Sequence, residues 1–304
     1  MRYTILILLF FPLWLMGQQV PHTTAFSSTY ASWNPAMTAP WSYVETQAVY
    51  HQQWMGFAGA PQTVMADVQV PILDYNMSAG LQVQNDQAGP LRQTSISLLY
   101  AYQIKLDYNH RLAIGVMANL SQFGFNGNDL AAYDLDDQLL GEGESTVNQT
   151  NFGVGVYYTG ADPDDYEESY LFAGLSARQV MPGSLRFAEF NETANFKRVL
   201  HGFGLVGYRF DQRSGFVEPS LQVLYSSKNI MHFQLGLQYE MYDTFWTGLT
   251  LDSSFRTGVQ LGYIVANVGA GSLRLGTMAS YNISSRGQEQ GVSLQALVGY
   301  RYAL

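Results

Sequence analysis

Four sets of residues in this chain have types and spacings that could do chemistry. Gly202-Phe203-Gly204-Leu205-Val206-Gly207 matches the G-x-G-x-x-G spacing that cradles a dinucleotide pyrophosphate. That use needs a strand before the glycines, a helix after them and an acid about 20 residues on to hold the ribose. No helical period or suitably placed acid follows Gly207. The glycines read instead as room in a barrel wall for lumen side chains. Asp129, Asp134, Asp136, Asp137, Glu142 and Glu144 crowd one stretch. Carboxylates can cage calcium, but this spacing fits no known cage and reads as a solvated acidic loop over 128–146. Asp162, Asp164, Asp165, Glu167 and Glu168 read the same way. His22, His51, His110, His201 and His232 are scattered, without metal-ligand spacing. No serine or histidine has the local signature of an oriented nucleophile. The sequence offers no catalytic set, no cofactor site and no metal site.

The elements that must carry these residues are strands. From Val292 to Leu304 every second residue is apolar, namely Val292, Leu294, Ala296, Val298, Tyr300, Tyr302 and Leu304. A period of two describes a strand with unlike faces. The pattern runs to the final residue, where a soluble domain would usually fray. A membrane barrel instead needs its last strand to pair with its first, because lipid cannot satisfy an open edge.

Composition agrees. Charged residues are 13% of the chain and aromatics 14%, with 21 Tyr and 29 Gly. The mean hydropathy of −0.06 hides apolarity that alternates with polar residues. No stretch after the N-terminus has the roughly 18 consecutive apolar residues of a membrane helix. The net charge of −9 argues against nucleic acid as a partner. Arg2 followed by an apolar run from Ile5 to Met16 and then Gly17 reads as a secretory signal peptide over 1–17. The chain contains no cysteine, which excludes both a lipoprotein anchor and a disulfide.

Alternating stretches begin at Tyr43 and recur near Val64–Ile72, Met77–Val83, Thr94–Tyr102, Leu112–Leu120, Phe152–Tyr158, Tyr170–Ala177, Val199–Phe210, Phe216–Tyr225, Met231–Met241, Phe245–Leu251, Thr257–Val265, Leu273–Ile283 and Gly291–Leu304. The expectation is an all-β fold, a single transmembrane antiparallel barrel of about 14 strands over 43–304, with 18–42 an irregular N-terminal segment. In the strand around Met231–Met241, Leu235 should face lipid and Gln234 the lumen. Trp54, Tyr170, Tyr225 and Trp246 sit near strand ends and read as interface girdle residues. The inward faces read as glutamine, asparagine, serine and glycine with few charges. With both termini toward the periplasm, the long connections Phe123–Thr146 and Gln179–Arg198 fall outside. The tight turns Lys105–His110, Asp211–Ser214 and Tyr242–Thr244 fall inside, as barrels require. Residues 18–42 have no period, and two placements fit. They form either a periplasmic tail or a segment folded into the barrel mouth, which would keep Trp33 and Trp41 out of water.

Alternation requires no particular residues in the N-terminal third, yet an ordered series stands there. It comprises Asn34-Pro35-Ala36, Tyr50-His51-Gln52-Gln53-Trp54, Gly59-Ala60-Pro61-Gln62-Thr63 and Asn85-Asp86-Gln87-Ala88-Gly89. With Phe172-Ala173-Gly174-Leu175-Ser176, Glu218-Pro219-Ser220 and Phe245-Trp246-Thr247-Gly248-Leu249, the series resembles the PorP/SprF family of the type IX secretion system of Bacteroidetes. The resemblance covers the mature chain. His51 stands where that family favours arginine, Thr250-Leu251 replaces an arginine-bearing stretch, and no S-H-E precedes the last strand.

The resemblance implies a non-enzymatic outer-membrane barrel of the secretion and gliding machinery. Such a barrel would hold a secreted protein through its C-terminal sorting domain or dock periplasmic ring proteins. The partner-binding residues that follow are Asn34, Pro35, Tyr50, Gln53, Trp54, Gly59, Pro61, Asn85, Asp86 and Gly89. Tyr50, Gln53 and Trp54 have the composition of a binding hot spot. Gly59 would let another backbone approach. The alternative on the same fold is a porin for small solutes.

Overall fold

The structure, a computed structural model, describes residues 29–126, 144–160, 168–181, 183–185, 196–227, 230–283 and 291–304. The signal-peptide expectation, most of the acidic loop and the acidic run Asp162–Glu167 lie outside the described residues.

Sixteen strands are described: β1 (Tyr43–Gln52), β2 (Gln62–Ile72), β3 (Met77–Ala88), β4 (Leu91–Lys105), β5 (Arg111–Asn126), β6 (Glu144–Thr159), β7 (Tyr170–Arg178), β8 (Ser184–Leu185), β9 (Phe196–Lys197), β10 (His201–Gln212), β11 (Gly215–Ser226), β12 (Ile230–Met241), β13 (Phe245–Asp252), β14 (Arg256–Val268), β15 (Gly271–Asn282) and β16 (Ser293–Ala303). Fourteen of them close an antiparallel barrel in chain order, while β8 and β9 make a separate ribbon in the β7–β10 connection. The seam is the pairing of β1 with β16, from Tyr43 opposite Ala303 to Gln52 opposite Leu294. Every strand of the barrel therefore has two partners, and no edge is left to lipid. The dinucleotide-like glycines fall wholly within β10, in a strand with no helix after it.

Alternation sets the two surfaces. On β12, Leu235 is 56% exposed and Gln234 only 2%. The exposed partners of Leu235 are Met231, Phe233 and Leu237 on the same parity. An outward apolar band over an inward polar one is the arrangement a barrel needs in a bilayer.

The two ends differ in their connections. At the end where β1 begins and β16 finishes, the hairpins are short apart from the β6–β7 connection over 160–169. In one of them Asp107 Oδ1 accepts from the backbone N–H groups of Asn109 (3.1 Å) and His110 (2.8 Å), an Asx turn that closes β4 onto β5. The opposite end, the far end, carries the β5–β6 and β7–β10 connections, the longest in the chain.

Candidate functional site: the plugged lumen

Residues 29–42 lie inside the barrel. The tail placement is corrected, and the second placement is the one found. Tyr30–Trp33 form one short helical turn, α1, and Pro35–Met37 a 3₁₀ turn. The bend between them follows from Asn34. Its side-chain oxygen accepts from the Ala36 N–H at 3.0 Å, and Pro35 supplies a preset φ at the first helical position. Thr38 Oγ1 then donates to Pro35 O at 2.8 Å and closes the turn. This compact plug has almost no accessible surface: Asn34 and Thr38 are 0% exposed and Ala36 1%.

The wall receives the plug by omission of side chains. A Cβ on Gly115 of β5 would overlap Ala36 N, and one on Gly155 of β6 would overlap Asn34 Oδ1. A Cβ on Gly174 of β7 would come within 2.9 Å of Asn34 Nδ2. Asn34 can thus reach the sheet backbone itself, donating through Nδ2 to Val156 O at 2.9 Å. That satisfies an amide that would otherwise be costly to bury. Neighbouring wall residues hold the plug backbone. Ser176 Oγ donates to Trp33 O (2.6 Å), Ser78 Oγ to Thr38 O (2.5 Å), and Ala39 N–H donates to Gln69 Oε1 (2.9 Å). Trp33 stacks on Phe203 with centroids 6.0 Å apart, and Trp41 meets Tyr170 at 5.7 Å. Trp33, Ala36 and Met37 join Ala113, Tyr157, Tyr170, Phe172, Phe203 and Leu205 in one buried apolar cluster.

The rest of the lumen is lined largely by glutamine and serine, as expected, and it also holds three ion pairs that the expectation of few inward charges passed over. Arg274 makes a two-pronged contact with Glu240 (3.0 and 2.7 Å) on the wall opposite the plug. Arg301 Nε donates to Glu45 at 2.7 Å across the β1–β16 seam. Arg209 donates to Glu218 at 2.9 and 2.7 Å, and its guanidinium lies 3.7 Å from the Phe216 ring centroid and 5.9 Å from that of Trp41. These charges were hidden in the sequence because each strand carries only one or two. Two girdle assignments are also corrected. Tyr170 and Trp246 are inward and buried, at 3% and 8% exposure. Trp246 fills the space over Gly262 and Gly276, with the Arg274 guanidinium 4.5 Å from its ring. Of the β10 glycines, Gly207 alone makes room for a lumen ring, that of Phe172; Gly202 and Gly204 lie on the outward parity.

The structure divides the ten candidate residues among three places. Asn34 and Pro35 are the heart of the plug. Asn85 and Asp86 lie in β3, where Asn85 Nδ2 donates to Thr94 Oγ1 (2.7 Å) and Asp86 accepts from Thr63 Oγ1 (2.5 Å). Tyr50, Gln53, Trp54, Gly59, Pro61 and Gly89 gather at the far rim beside the seam. There Gln53 N–H donates to Pro61 O, Met55 N–H to Val292 O and Gly89 N–H to Gly59 O, at 2.9, 2.9 and 3.0 Å. Gly59 and Gly89 both have positive φ, +71° and +56°. The backbone that approaches Gly59 is that of Gly89. His51, on the inward face of β1, is 1% exposed, and neither ring nitrogen finds a partner among the described residues.

Segments farther down the chain converge on the plug. Gly174 and Ser176 seat it, Phe172 packs under it, and Glu218 neutralises the arginine against Trp41. Gly115, Gly155, Arg209 and Arg178 were not singled out by sequence. The readable trace of the first two was a glycine at an inward position, with Met117 next to Gly115 and Tyr157 next to Gly155 on the same parity.

On the far side of the plug lies a cavity with Trp33, Met65 and Met117 against it and amide and hydroxyl groups around it. Arg178 and Arg198 reach its wall.

A closed barrel of fourteen antiparallel strands, apolar outside and filled by its own N-terminal segment, defines an outer-membrane β-barrel of the plugged class. Solved structures with this fold include the toluene transporter TodX of Pseudomonas putida, with TM-score 0.57, 9% identity and coverage of 86% of this chain and 89% of that one. The monoaromatic hydrocarbon channel CymD gives 0.56, with 10% identity and coverage of 89% and 91%. At such identities the likeness is one of fold. No curated protein matches the chain. The chain belongs to the family of type IX secretion system membrane proteins PorP/SprF, whose model matches residues 15–300. Family and fold are those of a secretion or transport component.

Proposed function

We propose that this barrel holds or presents a secreted protein bearing a C-terminal sorting domain, at the far rim and the cavity beneath it, and that its short-hairpin end faces the periplasm and docks the secretion ring. The observation that carries this reading is the plug. Asn34 is bonded to the wall backbone and faced by Gly155 and Gly174, with Gly115 against Ala36, so the lumen is occupied by the chain itself. A lumen filled in this way serves poorly as a solute path and well as a rigid base for a binding surface. The rim supplies Tyr50, Met55 and Phe57, exposed at 42%, 44% and 56%, beside Trp54. Aromatic and methionine side chains are the types enriched where proteins meet. The hairpin lengths support the orientation, since barrels keep their short turns periplasmic.

A deletion strain should lose surface display of one particular sorting-domain protein while small-solute uptake stays normal. Purified barrel in liposomes should show little swelling with sugars. Intact display together with fast sugar permeation would instead make the protein a porin.

A further inference from the structure

The arginines of the lumen fall into two groups. Toward the chain-termini end, Arg209, Arg274 and Arg301 each hold a glutamate at 2.7 Å. Toward the far end, Arg178 and Arg198 both reach the wall of the cavity beyond the plug, and neither has a carboxylate partner among the described residues. What each does have is an aromatic face. Arg178 lies 5.7 Å from the Trp33 ring centroid and Arg198 4.7 Å from that of Phe123. Such contacts orient a guanidinium and leave its N–H fork for another group. Arg198 Nε and, on the same wall, Gln179 Oε1 are enclosed without any hydrogen-bond partner among the described residues. Enclosed polar atoms of this kind are normally satisfied. In a chain of net charge −9, two neighbouring cations with no carboxylate partner among the described residues suit an anion at this cavity.

We propose that this cavity binds a carboxylate carried on an extended peptide, with Arg178 and Arg198 as its receptors. The proposal rests on the secretion reading in taking the ligand to be a protein segment. Guanidinium groups match the planar carboxylate through paired N–H donors. The surrounding wall carries Gln84 and Gln93, whose amides offer a donor and an acceptor each, as a peptide backbone does, while Asn119 and Asn151 beside them are held by Ser97, Ser121 and Met181. An acidic sugar fits less well. The Trp33 ring is already engaged by Phe203 and Arg178, and the Phe123 ring by Arg198. A sugar would need such a face free to stack on. The carboxylate can come from a chain terminus or from an Asp or Glu side chain.

The test uses full-length purified barrel immobilised in detergent. It is offered two pools of random pentapeptides, one with free C-terminal carboxylates and one amidated, and tri-galacturonate as a non-peptide carboxylate. Retained molecules are read by mass spectrometry. Retention of the free-acid pool at least tenfold above the amidated pool identifies a chain terminus. Enrichment of Asp and Glu within the amidated pool identifies a side chain. In either case Arg178→Gln and Arg198→Gln should each reduce retention tenfold or more while heat-modifiable mobility stays normal, and Arg198→Lys should retain part of the binding. Acid-independent retention, unchanged retention in both glutamine variants, or preferential retention of tri-galacturonate overturns the proposal. Loss of cargo display without carboxylate-dependent retention removes this site and leaves the secretion reading standing. Carboxylate-dependent retention with intact display in the deletion strain does the reverse.

Discussion

The two walls of the lumen solve the same problem in opposite ways. A fourteen-strand barrel encloses more space than wall side chains of ordinary size can fill. At Gly115, Gly155 and Gly174 of β5, β6 and β7 the wall gives up its side chain, and a separate stretch of chain fills the gap. Along β12, β13, β15, β16 and β1 the wall fills the space itself, with Trp246 and the Arg274–Glu240 and Arg301–Glu45 pairs. The difference lies in what each arrangement permits. A plug joined to β1 by a few residues can leave without breaking the sheet. Side chains rooted in the strands cannot.

Three substitutions press on that contrast. The largest effect should come from Gly155→Leu. Even a Cβ there overlaps Asn34 Oδ1, so the plug site ceases to exist. The barrel should still assemble, residues 29–42 should become protease-sensitive, and sugar-driven liposome swelling should rise well above wild type. Gly204→Ala, on the outward parity of β10 with its nearest atom 3.5 Å away, should change neither measurement. A Gly155→Leu protein with a protected N-terminal segment would show that the plug is not held by the glycine cradle.

Next in size is Arg274→Met. Removing one partner of a buried ion pair strands the other charge and costs roughly 3–5 kcal/mol. The loss should appear as lower resistance of the folded barrel to denaturant, with the N-terminal segment still protected. Adding Glu240→Leu should recover most of it, since the penalty belongs to the stranded charge.

The smallest effect should be that of Asn34→Ala. It removes the amide that bonds Val156 O and caps Ala36, at a cost of about 1–3 kcal/mol to plug seating alone. Protease cleavage within 29–42 should accelerate while denaturant resistance of the strands stays unchanged. Equal softening of plug and strands would mean that the two walls are one cooperative unit.

Much of the barrel was legible because a period of two is a strong signal, and it repeats in every strand that spans. Leu235 outward and Gln234 inward follow from that period alone. The plug was not legible. Residues 29–42 carry no period, and their position is dictated by what Gly115, Gly155 and Gly174 lack. An absent side chain shows in the sequence only as a glycine, and glycines also stand at outward positions such as Gly202 and Gly204. Tyr170 and Trp246 misled for a related reason. Aromatic type near a strand end suggested the membrane interface, whereas their parity put them inside. The rim glycines were readable as turns with a close approach, but the approaching backbone was the chain's own. The Arg274–Glu240 pair escaped notice because the two residues are 34 apart and lie on β15 and β12, with two strands between them.

Asn34 bonds carbonyls that lie 122 and 141 residues further along the chain. The first part of the barrel protein to be made therefore has no seat until β6 and β7 stand side by side, and contacts so distant in sequence are slow to form. Until then Trp33 and Trp41 stay in water or with a chaperone, one step ahead of a first strand that is itself waiting for β16. Two late contacts, at the seam and at the plug, thus complete assembly from opposite ends of the chain. Acquired protease resistance of residues 29–42 is a clock for the second of them.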